Sequence, residues 1–179
     1  ALEHLPIEGA AETLRRFASE SVQRALRDHQ LAVELPGDHD ERRLLLHDAL
    51  ARSSERHALY AIRAVAVGSS DRSLLSEAIG NLKAGDTAQR AAAVELIDSS
   101  KDAPTLRPLL AVWESGQAPR KRLDYPISEL LGHPDPWIRE CAEFAMSANM
   151  KGKPMARTLP TLAVMERVLF LRKAPMFEG

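Results

Sequence analysis

Leu82-Lys83-Ala84-Gly85-Asp86-Thr87-Ala88-Gln89-Arg90-Ala91-Ala92-Ala93 returns, 49 positions later, as Leu131-Gly132-His133-Pro134-Asp135-Pro136-Trp137-Ile138-Arg139-Glu140-Cys141-Ala142. The shared positions are Leu82 with Leu131, Asp86 with Asp135, Arg90 with Arg139 and Ala93 with Ala142. Each copy ends an apolar helical stretch in Leu, turns through small or turn-forming residues, and restarts at Asp. An Asp in that place accepts the orphan N–H groups of a new helix. Arg one turn later is expected to reach a carboxylate or carbonyl of the neighbouring unit, and Ala to let paired helices approach closely. A degraded third copy is expected at Asp38, Arg42 and Leu45. Asp86, Arg90, Asp135 and Arg139 therefore read as the structural positions of a helix–turn–helix repeat whose units cover one another's apolar faces.

The helical period extends on both sides of these units. From Ala10, the residues Leu14, Phe17, Ala18, Val22, Ala25 and Leu26 fall on one face, and Leu35-Pro36-Gly37-Asp38 stops that helix. A second helix is expected over Asp40–Ala51 with Leu44, Leu45, Ala49 and Leu50. A third starts at Ser54, turns Ala58, Leu59, Ile62, Val65 and Ala66 inward, and stops at Gly68. Ser53-Ser54 and Ser69-Ser70 read as helix caps. Ser70-Asp71 opens a helix bearing Leu74, Leu75, Ala78, Ile79 and Leu82, and Thr87–Asp98 follows. Asp102–Glu114 carries Pro104 in its first turn and a stripe of Leu106, Leu109, Leu110 and Trp113. After a basic turn over 116–122, helices are expected at Ile127–Leu131, Trp137–Ala148 and Pro160–Leu171, the last beyond a linker over 149–158. This makes eight or nine helices in antiparallel pairs, an all-α solenoid, with the Leu74–Asp98 unit superposing on the Ile127–Ala148 unit. No alternating run with bounding turns argues for a strand.

Composition agrees. Hydrophobic residues make up 45% and aromatics only 4% of the 179 residues, which favours helices packed through Ala and Leu over a sheet. The net charge of −1 gives no global field to draw nucleic acid or an anionic membrane. The arginine excess suits bidentate recognition of carboxylates or phosphates, or reflects codon usage. A lone cysteine, Cys141, excludes an internal disulfide, fits a reducing compartment and reads as a small core residue. No stretch approaches the ~18 apolar residues that cross a bilayer.

Little here has the pattern of chemistry. The six histidines, His4, His29, His39, His47, His57 and His133, lack the spacing of a zinc site. His39 and His47 with Asp38, Asp40 and Asp48 are read as solvated groups at a helix start. No phosphate loop or nucleophile elbow occurs, so no catalytic residue, metal ligand or cofactor site is expected. Arg120, Lys121 and Arg122 form a basic cluster open to an acidic partner, a phosphate or a lipid headgroup, or simply to solvent. Trp113 and Trp137 read as core anchors between repeats.

The Asp-x-x-x-Arg-x-x-Ala pattern resembles HEAT repeats. AIGNLKAGDTAQRAAAVELIDSS, residues 78–100, followed by LRPLL at 106–110, is similar to the cytoplasmic HEAT-like region of bacterial transporter-like membrane proteins of the ATP/ADP translocase or major facilitator type. HPDPWIRECAEFAM, residues 133–146, resembles the later repeat of that region; Ala92 stands where the family pattern has Asn. MERVLFLRKAPMFEG, residues 165–179, resembles the lead-in helix and first turn of a cyclic nucleotide-binding domain, through Leu171, Arg172, Lys173, Pro175, Phe177 and Gly179. The barrel and phosphate cassette of that domain have no counterpart here, so nucleotide binding does not carry over.

The resemblance covers about residues 40–179. It implies a lead-in over residues 1–9, a HEAT-like repeat domain over 10–158, and the opening of a cyclic nucleotide-binding domain over 159–179, cut from a longer chain. The implied function is a non-catalytic scaffold or spacer, cytoplasmic, in the cytosolic part of a membrane protein but not itself inserted in the bilayer. The alternative is a free-standing adaptor that binds a protein or peptide on a concave face. A third setting is an enzyme or nucleic-acid reader, as in HEAT-like bilin lyases and alkylpurine-DNA glycosylases; the latter want a basic concave groove, against which the net charge of −1 argues. Partners are expected to be proteins, either neighbouring domains or separate chains, and not nucleic acid. The nearly all-apolar segment 164–177 is expected to seek a second copy of the chain.

Overall fold

The computed structural model describes residues 7–35, 40–84, 86–113 and 127–147, and all of them belong to the compact unit Ala1–Ser147, separate from Ala148–Gly179. Among the described residues the chain is all-helical, without strands. The helices are α1 (Ile7–Glu34), α2 (Glu41–Gly68), α3 (Arg72–Ala84), α4 (Thr87–Ser99), α5 (Ala103–Leu106) and α6 (Pro136–Met146), with 3₁₀ segments at Arg107–Val112 and Ile127–Gly132.

The first difference from the sequence reading lies in α2. Ser53 and Ser54 do not cap a helix. They lie buried in the middle of one 28-residue helix. A serine is tolerated there because its hydroxyl finds an acceptor: Ser54 Oγ donates to the carbonyl of Ala25 in α1 at 2.8 Å. Its small size also lets α1 and α2 pack closely. The other end of α2 follows expectation, closing at Gly68 with Ser69 extended.

The second difference is at Asp102–Glu114, where the apolar stripe predicts one α-helix. The backbone instead makes one α-turn and then tightens to 3₁₀. Pro108 gives the reason: it has no N–H to bond the carbonyl four residues back, and its ring crowds that carbonyl. Leu106, Leu109 and Leu110 are still buried, as the stripe requires. The helix Ile127–Leu131 is likewise 3₁₀.

Two apolar cores sit along α1 and α2. In one, Val22, Ala25 and Leu26 of α1 meet Ala58, Ala61, Ile62 and Ala66 of α2, with Leu75, Ala78 and Leu82 of α3, Ala93 and Ile97 of α4, and the leucines at 106, 109 and 110. In the other, Leu31 and Ala32 of α1 and Leu35 just after it meet Leu46, Ala49 and Leu50 of α2, with Leu130, Ile138, Cys141, Ala142 and Ala145. The start of α2 thus faces the end of α1, and the two helices run in opposite directions. The two sequence-related units, α3–α4 and the 3₁₀ segment with α6, both pack on α2, each at its own core.

Phe17, placed inward by periodicity, is 47% exposed. Trp113 packs against the first core and Trp137 against the second, each half-buried. Segments 1–6, 114–126 and 148–179 lie outside the described residues, and with them the basic cluster Arg120–Arg122, the linker, the last expected helix and the proposed pairing segment 164–177. The helical backbone already begins at Ile7, inside the expected lead-in.

Candidate functional site

Three helices begin in the same way. Asp40, Asp86 and Asp135 hold extended backbone at the N-caps of α2, α4 and α6, and each side chain accepts the N–H two residues on: Arg42 at 3.0 Å, Ala88 at 3.1 Å and Trp137 at 2.9 Å. The expected roles of Asp86 and Asp135 are met. In the third copy the cap is Asp40, two positions later than the expected Asp38, which lies outside the described residues.

The arginines differ from expectation. Arg139 Nη1 donates to the carbonyls of His133, at 2.7 Å, and Pro134, at 3.2 Å. It closes the turn of its own unit and does not reach a neighbouring one, because α6 wraps back over that turn. The Nε of Arg90 is buried without a hydrogen-bond partner, so the two copies share position but not bonding.

The densest polar cluster lies where α6 meets α1 and α2. His133 and Asp28 are joined Nε2 to Oδ1 at 3.0 Å, with side chains only 5% and 3% exposed. The Asp135 N–H donates to His133 Nδ1 at 3.1 Å. That bond makes Nδ1 an acceptor, so the proton sits on Nε2 and is donated to Asp28. Both ring nitrogens are therefore engaged, and neither is free to take a proton from a substrate or bind a metal. Asp135 also accepts, through Oδ2, the guanidinium of Arg56 at 2.7 Å. Further along the same contact, Arg42 Nη1 donates to Ser147 Oγ at 3.0 Å and its guanidinium lies 5.0 Å from the Phe144 ring centre. Sequence alone singles out neither Asp28 nor Arg56, and it marks Arg42 only as a position of the degraded third copy. Of the first two, only Asp28 left a trace: it follows Ala18, Ser21 and Ala25 at helical spacing, a lone acid on a buried face.

His57 stands beside this cluster, its ring edge-on to Tyr60. Its pKa is lowered by burial first, then by Arg56 and Arg24, against the opposing pull of Asp28 and Asp135. Burial lowers His29 too. The Cys141 thiol is pushed up to about 12, chiefly by burial, with Glu140 and Asp135 adding to it. It is a core side chain, as the sequence suggests.

A second polar clasp ties the turn after α2 to the turn after α4. Ser69 Oγ donates to Asp102 Oδ2 at 2.5 Å and accepts the Asp71 N–H at 3.0 Å. Asp71 in turn accepts the Lys101 N–H at 2.9 Å. Asp71 thus serves the far turn, while Ser69 satisfies the start of α3. Among the described residues no three His, Cys, Asp or Glu side chains are placed to hold a metal ion, and no helix is long and apolar enough to cross a membrane. Compared with protein-family models, curated proteins and solved structures, the chain matches none.

Proposed function

We propose that this chain is a non-catalytic helical-repeat scaffold, HEAT-like in its Asp-capped units, that spaces or holds other protein elements. The observation that carries the reading is the use made of its reactive side chains. Asp28, His133, Asp135, Arg56 and Arg139, the groups best suited to acid–base or anion chemistry, all bond one another or backbone carbonyls to hold α6 on the long hairpin. A catalytic base needs a free nitrogen in reach of substrate, and His133 has both engaged. The solenoid reading rests on the repeated Asp cap and on units that bury their apolar faces on a common neighbour.

The setting follows from the resemblance: the cytosolic part of a transporter-like membrane protein, ahead of a cyclic nucleotide-binding domain. Reading the complete gene tests it. Membrane-spanning segments upstream and a β-barrel domain downstream are the expected result, and their absence removes the setting but leaves the free-standing adaptor. Calorimetric titration of this chain with cyclic AMP and cyclic GMP is expected to be flat, and a thermal-shift screen against common metabolites to give no stabilisation. Micromolar binding of a small molecule overturns the scaffold reading.

A further inference from the structure

The α6 unit covers only part of the face that α1 and α2 share. We infer that the remaining part, built around Arg24, Tyr60 and Arg63 beside Phe17, binds an acidic amphipathic helix of a protein partner. The inference rests on the scaffold reading and assigns it a surface.

The geometry starts from α6. It lies on the first half of α2, burying Ile138, Cys141, Ala142 and Ala145 against Leu46, Ala49 and Leu50, while the acid at its start, Asp135, meets Arg56 at 2.7 Å. A helix with apolar residues inward and an acid against an arginine is thus already seated on this face. Arg56, Tyr60 and Arg63 follow at i, i+4 and i+7, so the same side of α2 continues past the end of that contact. On α1, Phe17, Arg24 and Asp28 follow at i, i+7 and i+11, so the side that meets His133 also continues, toward the start of α1. The Ser54–Ala25 hydrogen bond sets the level of the two antiparallel helices, and eight residues along from it Phe17 stands level with Ile62, between Tyr60 and Arg63.

Past the α6 contact, no described element covers this face. Phe17 and Tyr60 are exposed by 47% and 37%. Arg24 and Arg63 are exposed and make no ion pair among the described residues. Beside Tyr60 stands His57, whose pKa is lowered first by burial and then by Arg56 and Arg24, with Asp28 and Asp135 pulling the other way, so both guanidiniums lie within electrostatic reach of this stretch. Exposed aromatic rings flanked by unpaired guanidiniums are the composition of an interface centre with a charged rim. The apolar stripe of an amphipathic helix suits Phe17 and Tyr60, and acids beside that stripe suit Arg24 and Arg63, in the helix-on-groove mode of recognition. The chain's net charge of −1 favours this partner over a nucleic acid strand.

The test is selection of helical peptides from a display library on the full 179-residue chain, followed by titration of the enriched peptides. The expected winners are amphipathic and acidic. The double variant Arg24→Glu/Arg63→Glu, on exposed positions and with its helical circular dichroism unchanged, is expected to weaken them by roughly tenfold or more, and Tyr60→Ala to do the same. Peptides with Glu exchanged for Lys are expected to recover binding on the double variant, which a general loss of structure does not allow. Peptides without acidic excess, or acidic peptides bound equally by wild type and variants, overturn the surface while leaving the scaffold reading intact. So does a wild-type dimer that the double variant dissolves, since it assigns the face to a second copy of the chain.

Discussion

Asp28 and His133, 105 residues apart in sequence, meet at 3.0 Å inside the protein and join α1 to the turn before α6. The pair sits at the edge of a core otherwise made of Leu, Ile, Ala and Cys side chains. A hydrogen bond to a carboxyl group in such surroundings is strong, and either partner left alone is costly.

His133→Ala is therefore expected to destabilise the fold by about 3 kcal/mol, because it leaves the Asp28 carboxyl enclosed without its donor. Asp28→Asn keeps an acceptor for the Nε2 proton and is expected to lose only about 1 kcal/mol. The double variant Asp28→Leu/His133→Leu is expected to be more stable than the sum of its single changes. Urea unfolding reads the wild type, these variants and the matching single variants Asp28→Leu and His133→Leu. Additive losses would show that the two side chains are not coupled, and Asp28→Asn as damaging as His133→Ala would show that the tautomer assigned to His133 is wrong.

The repeated caps allow a matched comparison. Asp86→Ala removes a cap alone and is expected to cost about 1 kcal/mol. Asp135→Ala removes the equivalent cap together with the partner of Arg56, whose side chains are 47% and 24% exposed for Arg56 and Asp135 respectively. That exposure limits the extra loss to about 0.2–1 kcal/mol. A double-mutant cycle between Arg56→Ala and Asp135→Ala isolates it, and a coupling near zero would mean that the ion pair contributes nothing to holding α6.

Acidification is expected to destabilise the protein before its carboxylates titrate. The pKa values of His29 and His57 are both lowered from the ordinary 6.5. The folded state prefers their neutral forms, so the unfolded chain binds more protons once pH falls below 6.5. Their contribution is present in full above that pH and is lost as pH falls through the folded values. Thermal midpoints measured from pH 8 to roughly pH 5, above the carboxylate range, should be flat at first and then decline. His29→Gln/His57→Gln should flatten the decline; an unchanged slope in that variant would show that other groups cause it.

Cys141 is expected to be unreactive while the protein is folded. A rise from 9.0 to about 12 reduces the thiolate fraction at pH 8 roughly a thousandfold, and burial blocks access as well. Ellman's reagent should label it on the timescale of unfolding and at once in urea. Rapid labelling of the native protein would place the thiol outside the second core.

Local signals in the chain were sufficient for its helical class and for the starts of α2, α4 and α6, though not for the unbroken length of α2 or the 3₁₀ segments. Periodic Leu and Ala residues mark buried faces, and Asp40, Asp86 and Asp135 cap the helices that follow them, since these effects act within a few residues and need no neighbour. The repeat at an offset of 49 was legible for the same reason, as was the core placement of Cys141. Tertiary structure decided the rest. Ser54 looks like a cap until α1 brings the Ala25 carbonyl within 2.8 Å of its hydroxyl, which turns a helix-breaking signal into a helix–helix bond. Phe17 belongs to the apolar period of α1, yet it is exposed, because none of the described elements packs over it. Asp28 shows in sequence only as a lone acid on an apolar helix face and His133 only as a turn residue; they are buried because each satisfies the other, and local sequence does not name a partner 105 residues away. Periodicity says which residues a helix buries, but which partner covers them depends on how distant helices share α2, and that is settled only when the whole core packs.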